Sequence, residues 1–145
     1  MSTLRTAIVA EALTWLETPF HHQARLKGCG VDCANLLAGV FAAVGLVPAI
    51  ALDAYPQDWH IHNAEPRFLR ELSLYADPLP TGAQALPGDI AMFQYGRHAA
   101  HGAIVTNWPQ VIHAWKDQGR VVLTEADSGP LAGRFAGLWR VRGVA

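Results

Sequence analysis

Two cysteines and seven histidines are the side chains of this sequence that could carry chemistry. The cysteines are Cys29 and Cys33, and the histidines form three close pairs and one single residue: His21/His22, His60/His62, His98/His101 and His113. A thiolate is a strong nucleophile, and histidine is the side chain that most readily takes a thiol proton near neutral pH. Thiol and imidazole are also the usual zinc ligands. The composition therefore raises nucleophilic catalysis and metal binding as the two chemistries to weigh.

The two cysteines have four alternative explanations. A Cys29–Cys33 disulfide would close a loop too short to restrict the unfolded chain much, and no signal peptide is apparent that would take the chain to an oxidising compartment. A zinc site would combine Cys29 and Cys33 with His98 and His101, at loose ligand spacings. Locally, a small buried hydrophobic side chain is the usual state of a free cysteine. A catalytic thiol requires a partner histidine placed by the fold.

Cys33 lies where a helix is predicted to begin. Asp32 is a good N-cap residue, and the helix predicted over residues 32–44 is closed by Gly45 and Pro48. The unpaired N–H groups at such a helix start favour a thiolate and can bind an oxyanion. This location favours Cys33, and not Cys29, as the nucleophile.

The stretch "HGAIVTNWPQVIHAW" supplies two histidines on one predicted hairpin. A three-residue loop at 106–108 pairs residue i with residue 214 − i, so that His101 faces His113 on one side of the sheet. In this arrangement His101 is the base and His113 fixes its tautomer and ring plane, as the third member of a catalytic triad does. Gly102 leaves room for a substrate backbone, and His98 is the competing candidate for the base.

The elements that must position these residues are helices followed by strands. Helices are predicted over residues 3–17, 32–44 and 66–75, with loops at 20–31 and 77–88 and an irregular segment at 48–65 whose Trp59, His60 and His62 are candidates for a substrate wall. Five strand-like runs follow as a meander: "DIAMFQY", "HGAIVTN", "QVIHAW", "RVVLTEA" and "GLWRVRGV". This order predicts an α+β domain, with N-terminal helices packed on a C-terminal antiparallel sheet.

Length and composition predict a single domain over residues 1–145. Hydrophobic residues make up 51% of the chain and charged residues 16%, which suits a globular core. The net charge of −1 gives no electrostatic case for nucleic-acid binding, and no run approaches the roughly 18 apolar residues of a membrane span. We expect synthesis in the cytoplasm, with the site of action left open.

Four motifs in order resemble those of the NlpC/P60 cysteine peptidases: "GVDCANLL", "PGDIAMF", "HGAIV" and "VIHA". The segment "TPFHHQARLKG" is similar to the phage- and gene-transfer-agent-associated branch of that family. The resemblance implies a papain-like fold, a Cys33–His101–His113 triad and no cofactor or metal. It also implies hydrolysis of an amide bond in peptidoglycan peptides, often that between D-glutamate and diaminopimelate, with phage-tail or gene-transfer-particle proteins as partners and delivery to the cell wall by such a particle.

The resemblance also places Phe20, His21 and Asp32 at the substrate-binding cleft. Most members of the family have tyrosine where this chain has Phe20, and the tyrosine hydroxyl is thought to polarise the substrate near the thiol. The adjacent His21 is a candidate replacement for that donor. The alternative is a catalytically weak or inactive papain-like domain that serves as a tail or wall-binding part.

Overall fold

The computed structural model describes residues 2–50, 67–96 and 98–145. The predicted substrate wall of Trp59, His60 and His62 lies outside these residues. The side chain of His98 lies outside them as well.

The described residues form three α-helices ahead of the main sheet: α1 (Thr3–Leu13), α2 (Cys33–Ala43) and α3 (Arg67–Ser73). The first ends four residues earlier than predicted and passes through turns to Glu17, which has a positive φ of 69°. The prediction for α2 is confirmed, since Asp32 is its N-cap and Val44 its C-cap. No described helix is long and apolar enough to cross a membrane.

Within the described ranges, eight strands form a two-stranded and a six-stranded antiparallel sheet. The strands are β1 (Arg25–Leu26), β2 (Gly30–Val31), β3 (Ala76–Pro78), β4 (Ile90–Tyr95), β5 (His98–Asn107), β6 (Gln110–Trp115), β7 (Arg120–Glu125) and β8 (Phe135–Val141). The large sheet has the order β3-β8-β4-β5-β6-β7. The predicted α+β class is confirmed.

The predicted meander is correct for β4 to β7 and wrong for the last strand. Strand β8 returns across the sheet to pair with β4, and β3 pairs with β8 inside a segment predicted as loop. The free edge of β7 is partly occupied by the chain that follows α1, because Glu17 N–H donates to Val121 O and Val121 N–H donates to Thr18 O. The short β1–β2 pair likewise falls in a predicted loop.

The sheet is covered on both faces. Helices α1 and α2 pack on one face, where the core includes Ile8, Leu36, Val40, Ile104 and Ile112. The opposite face carries a smaller cluster that includes Phe93, Ala103, Val105, Val111 and Leu131. Burial on both faces explains why the start of β4 is a continuous apolar run and not an alternating one.

Candidate active site

Cys33 is the first residue of α2, and Asp32 holds that helix start in place. Asp32 Oδ1 accepts hydrogen bonds from the backbone N–H and the side-chain amide of Asn35, both at 3.0 Å. Its Oδ2 accepts one from the Gln23 N–H at 2.8 Å. The buried carboxylate therefore ties the loop upstream of the helix to the residue before the thiol.

Strands β5 and β6 stop pairing near the Cys33 thiol. In the described part of the sheet, pairing of β5 with β6 extends no further than Ile104 opposite Ile112. Val105 bonds through both its N–H and its C=O to the β4 side, so the alternating pattern of an antiparallel strand turns the Gly102 N–H toward β6. This N–H lies close enough to the Cys33 thiol to lower its pKa. The thiol thus sits against the opening between β5 and β6.

Burial dominates the electrostatics of the thiol. Desolvation, with a smaller contribution from the Asp32 carboxylate, raises the pKa of Cys33 to about 12. The N–H groups of Gly102, Ala34 and Cys33 itself act in the opposite direction but do not outweigh the burial. The resting thiol is therefore neutral, and a base must remove its proton when it reacts.

His101 and His113 are hydrogen-bonded to each other. His101 Nε2 lies 2.6 Å from His113 Nδ1, and the two rings meet nearly edge to face, with centroids 4.9 Å apart. The predicted contact between the histidines is therefore present. With Nε2 of His101 directed at His113, Nδ1 is the ring nitrogen that can serve as a base.

The predicted register of the hairpin is wrong by two residues. Asn107 pairs with Gln110 around a two-residue turn, and Val105 pairs with Val111, so partner numbers sum to 216 near the histidines and not to 214. A shift of two residues keeps every side chain on its face of the sheet. The histidines therefore still share a face, but they meet as diagonal neighbours and not as directly opposed residues.

His113 is buried and held from both sides. Its Nε2 lies 3.0 Å from Thr124 Oγ1, and the Trp115 ring stacks on it at a centroid distance of 5.6 Å. Burial lowers the pKa of His113 to about 4, so this ring is neutral near pH 7. A neutral, fixed imidazole is suited to orient His101.

Besides His113, two aromatic rings lie near the ring of His101. Tyr95 contacts it edge to face at 5.5 Å, and Phe93 lies at 6.3 Å. The Arg134 guanidinium stacks over the Tyr95 ring at 4.3 Å. Sequence reasoning did not identify Tyr95 or Thr124. The turn at 116–119 was the signal available for Thr124, because it sets the β6–β7 register in which His113 faces Val122.

The three predicted cleft residues lie on the segment ahead of α2. The Phe20 side chain is half-buried and packs against the core, while the Phe20 N–H donates to Gly119 O. His21 is exposed, with Nδ1 3.1 Å from the His22 carbonyl oxygen. Asp32 is occupied by the hydrogen bonds that cap α2. Their contacts with substrate stay predictions.

No described group of three or more His, Cys, Asp or Glu side chains is arranged to hold a metal ion. The zinc hypothesis also depends on the His98 side chain, which is outside the described residues. Cys29 is an exposed free thiol. The structure brings His101 and His113 into contact and places the Cys33 thiol beside the N–H of Gly102, the residue after His101.

Comparison with known proteins gives structural but not sequence matches. No protein-family model matches the chain, and no curated protein matches it. An NlpC/P60 family protein from Bacillus cereus superimposes with a TM-score of 0.67 at 17% identity, over 92% of this chain and 39% of that one. NlpC2 from Trichomonas vaginalis gives 0.70 at 14% identity, over 97% and 47%.

A third similar structure is the NlpC/p60 domain of the peptidoglycan hydrolase SagA. It gives a TM-score of 0.58 at 22% identity, over 92% of this chain and 97% of that domain. The chain spans less than half of the first two structures and nearly the whole of the third. These likenesses establish that the chain has the fold of NlpC/P60 domains.

Proposed function

We propose that this chain is a cysteine hydrolase that cleaves an amide bond in peptidoglycan peptides. The observation that carries the proposal is the 2.6 Å hydrogen bond between His101 and His113. His101 lies on β5 directly before Gly102, whose N–H is beside the Cys33 thiol. The substrate class comes from the similar structures, one of which is a peptidoglycan hydrolase.

The reaction begins with proton transfer. His101 Nδ1 takes the proton of the Cys33 thiol, and the sulfur attacks the carbonyl carbon of the scissile amide. Because burial raises the pKa of the Cys33 thiol, the sulfur needs His101 to take its proton in order to attack. His113 keeps the His101 ring oriented and accepts its Nε2–H throughout.

The tetrahedral intermediate then collapses. Its oxyanion is stabilised by the Cys33 backbone N–H at the start of α2, and the His101 imidazolium gives its Nδ1 proton to the leaving amine. The amine departs and leaves a Cys33 thioester. His101 next removes a proton from water, which attacks the thioester, and the carboxylic acid product leaves as the thiol is reprotonated.

Defined muropeptides test this function. Wild-type protein is incubated with muropeptides that contain the D-glutamyl–diaminopimelate bond, our first proposed substrate, and the products are identified by mass spectrometry. We expect new amine and carboxylate ends with wild type and with Cys29→Ala, and none with Cys33→Ala. Equal products from wild type and Cys33→Ala, or no product from any muropeptide, would contradict the hydrolase proposal.

A wall-binding domain without catalysis is the second candidate. Its supporting observation is Phe20, which places a ring with no hydroxyl against the core where a donor is expected. Sedimentation with insoluble peptidoglycan separates the candidates. Binding by wild type and Cys33→Ala alike, with no cleavage, would favour this second function.

We also propose that the chain reaches the wall in a phage tail or gene-transfer particle. The support is the similarity of the segment "TPFHHQARLKG" to that branch of the family. Mass spectrometry of purified particles tests the proposal. Peptides of this chain are expected in the particle fraction, and their restriction to the soluble fraction would contradict it.

A further inference from the structure

His113 uses both ring nitrogens, and its second partner is a threonine hydroxyl. Nδ1 faces His101 at 2.6 Å, and Nε2 faces Thr124 Oγ1 at 3.0 Å. Thr124 lies on β7, two residues beyond the direct partner of His113, Val122. The side chain of His113 is fully buried, so its N–H needs a protein partner.

The neutral His113 ring carries one N–H, and its position decides whether His101 can act as a base. If the proton is on Nε2, His113 Nδ1 accepts from His101 Nε2–H, and His101 Nδ1 carries no proton and can take the one from the thiol. If the proton is on Nδ1, His101 Nε2 must accept, and the His101 proton then occupies Nδ1. Only the first tautomer leaves a competent base.

Protonation of His101 makes the requirement stricter. An imidazolium has N–H on both nitrogens, so His113 Nδ1 must accept and His113 Nε2 must carry the proton. The Nε2–H then needs an acceptor in a buried place, and Thr124 Oγ1 is in position for it. A hydroxyl accepts or donates by rotation, so it can follow the ring through the reaction.

We propose that Thr124 is a positioning residue whose hydroxyl accepts the Nε2–H of His113 and so keeps His113 in the tautomer that supports His101. The proposal rests on the function proposed above. It extends the Cys33–His101–His113 arrangement to a fourth side chain that does not touch the substrate.

Two substitutions separate the hydroxyl from the shape of the side chain. Thr124→Val keeps the branched shape and removes the oxygen, while Thr124→Ser keeps the oxygen. Thr106→Val is the matched control, because Thr106 Oγ1 forms its hydrogen bonds with Gln110 at the hairpin turn and not with a histidine.

The first measurement is the His113 tautomer by ¹⁵N NMR of the ring nitrogens near pH 7, which needs no substrate. Wild type, Thr124→Ser and Thr106→Val are expected to carry the proton on Nε2. In Thr124→Val an Nε2–H would be buried without an acceptor, so the proton is expected to move to Nδ1. A wild-type proton on Nδ1, or an unchanged tautomer in Thr124→Val, would overturn the proposal.

The second measurement is muropeptide hydrolysis. Loss of one net hydrogen bond predicts a fall in kcat of about three- to tenfold for Thr124→Val, with KM unchanged. Thr124→Ser is expected within about twofold of wild type. A wild-type kcat in Thr124→Val, or an equal fall in Thr124→Ser, would overturn the role.

The NMR result distinguishes this inference from the function beneath it. If no protein form cleaves muropeptides but the tautomer still follows the hydroxyl, the hydrolase proposal fails and the positioning of His113 stands. If cleavage occurs and the His113 tautomer is the same in wild type and in Thr124→Val, the hydrolase function stands and this inference fails.

Discussion

The Cys33 thiol lies between groups with opposite effects on its proton. Three backbone N–H groups favour the thiolate, whereas burial and the Asp32 carboxylate favour the neutral thiol and prevail. The residue that caps α2 therefore also holds down the reactivity of the thiol that follows it. The Asp32 carboxylate thus stabilises the start of α2 and at the same time raises the pKa of Cys33.

Asp32→Asn should separate these two effects. Asparagine keeps one oxygen to cap α2, although its NH2 cannot accept the Gln23 N–H as Oδ2 does, and it removes the negative charge beside the sulfur, so the pKa of Cys33 should fall from about 12. The measurement is the ultraviolet absorbance of the thiolate during a pH titration, in a Cys29→Ser background. Asp77→Asn, at an exposed and distant position, is the control and should leave the titration unchanged. A midpoint that stays or rises in Asp32→Asn would show that the carboxylate does not act on the thiol.

At the scale of elements, the close packing of α2 on β5 positions the thiol. A Cβ at Gly102 would lie 3.0 Å from Phe68 Cζ, 3.1 Å from Leu37 Cδ2 and 3.3 Å from Met92 Sδ. The strand can thus lie directly under the helix because residue 102 has no side chain. A role of this glycine toward substrate is predicted from the sequence, whereas in the structure a side chain at this position would meet the core.

Gly102→Ala should therefore destabilise the fold and displace the site. We expect a loss of about 1–3 kcal/mol in the free energy of unfolding, as for overpacked cores, measured by urea denaturation. Adding Phe68→Leu removes the nearest ring atom, so the double variant should be more stable than the sum of the two single effects. Strict additivity would mean that Phe68 is not what the new methyl group meets.

The sequence predicted which face of a helix or strand a residue lies on better than it predicted strand register or the order of strands in the sheet. The hydrophobic pattern and Asp32 located α2, because periodicity and an N-cap are local features. The histidine contact survived a two-residue error in register, because an even shift preserves the face of the sheet. The position of β8 beside β4 is not a local feature, and the β7 edge where a meander would continue is partly occupied by residues 17–20. Thr124 was missed because its role depends on a third strand, whose register is set by the turn at 116–119.

At the scale of the whole molecule, a buried ion network joins distant parts of the chain. Asp89, fully buried at the start of β4, accepts two hydrogen bonds from Arg140 on β8, at 2.8 and 2.9 Å, and one from Arg5 on α1 at 3.0 Å. Arg5 also donates to the backbone oxygens of Pro87 and Ala145. The sheet centre and the first helix are thus fixed to one carboxylate, and Arg5 extends the network to the last residue, Ala145.

Asp89→Asn should be far more costly than the loss of a surface pair. Removing the charge leaves Arg5 buried without its counter-ion, and we expect a loss of about 3–5 kcal/mol in the free energy of unfolding. Asp77→Asn breaks the exposed pair with Arg142 and should cost less than about 1 kcal/mol. Urea denaturation of both variants gives the comparison, and similar losses in the two would show that the network does not hold the fold.

The buried His113 makes the stability of the whole domain depend on pH. The pKa of His113 is about 4 in the folded protein and 6.5 in the unfolded chain. As the pH falls from 6.5 toward 4, the unfolded chain therefore binds this proton and the folded protein does not. The contribution is complete above pH 6.5 and is lost progressively down to about pH 4, and its size is on the order of 3 kcal/mol at roughly 1.4 kcal/mol per pKa unit. Asp89 acts in a different range, because Arg140, the Leu86 N–H and Arg5 outweigh its burial and hold its pKa below 3.8.

Urea denaturation across this pH range, with wild type and two histidine variants, isolates the effect. His113→Gln should remove most of the fall in stability between pH 6.5 and about 4, whatever its stability at pH 6.5. His21→Gln changes an exposed histidine and should keep the wild-type fall. If His113→Gln retains the full slope, the proton responsible binds elsewhere, and the buried neutral imidazole assigned to His101's partner would have to be abandoned.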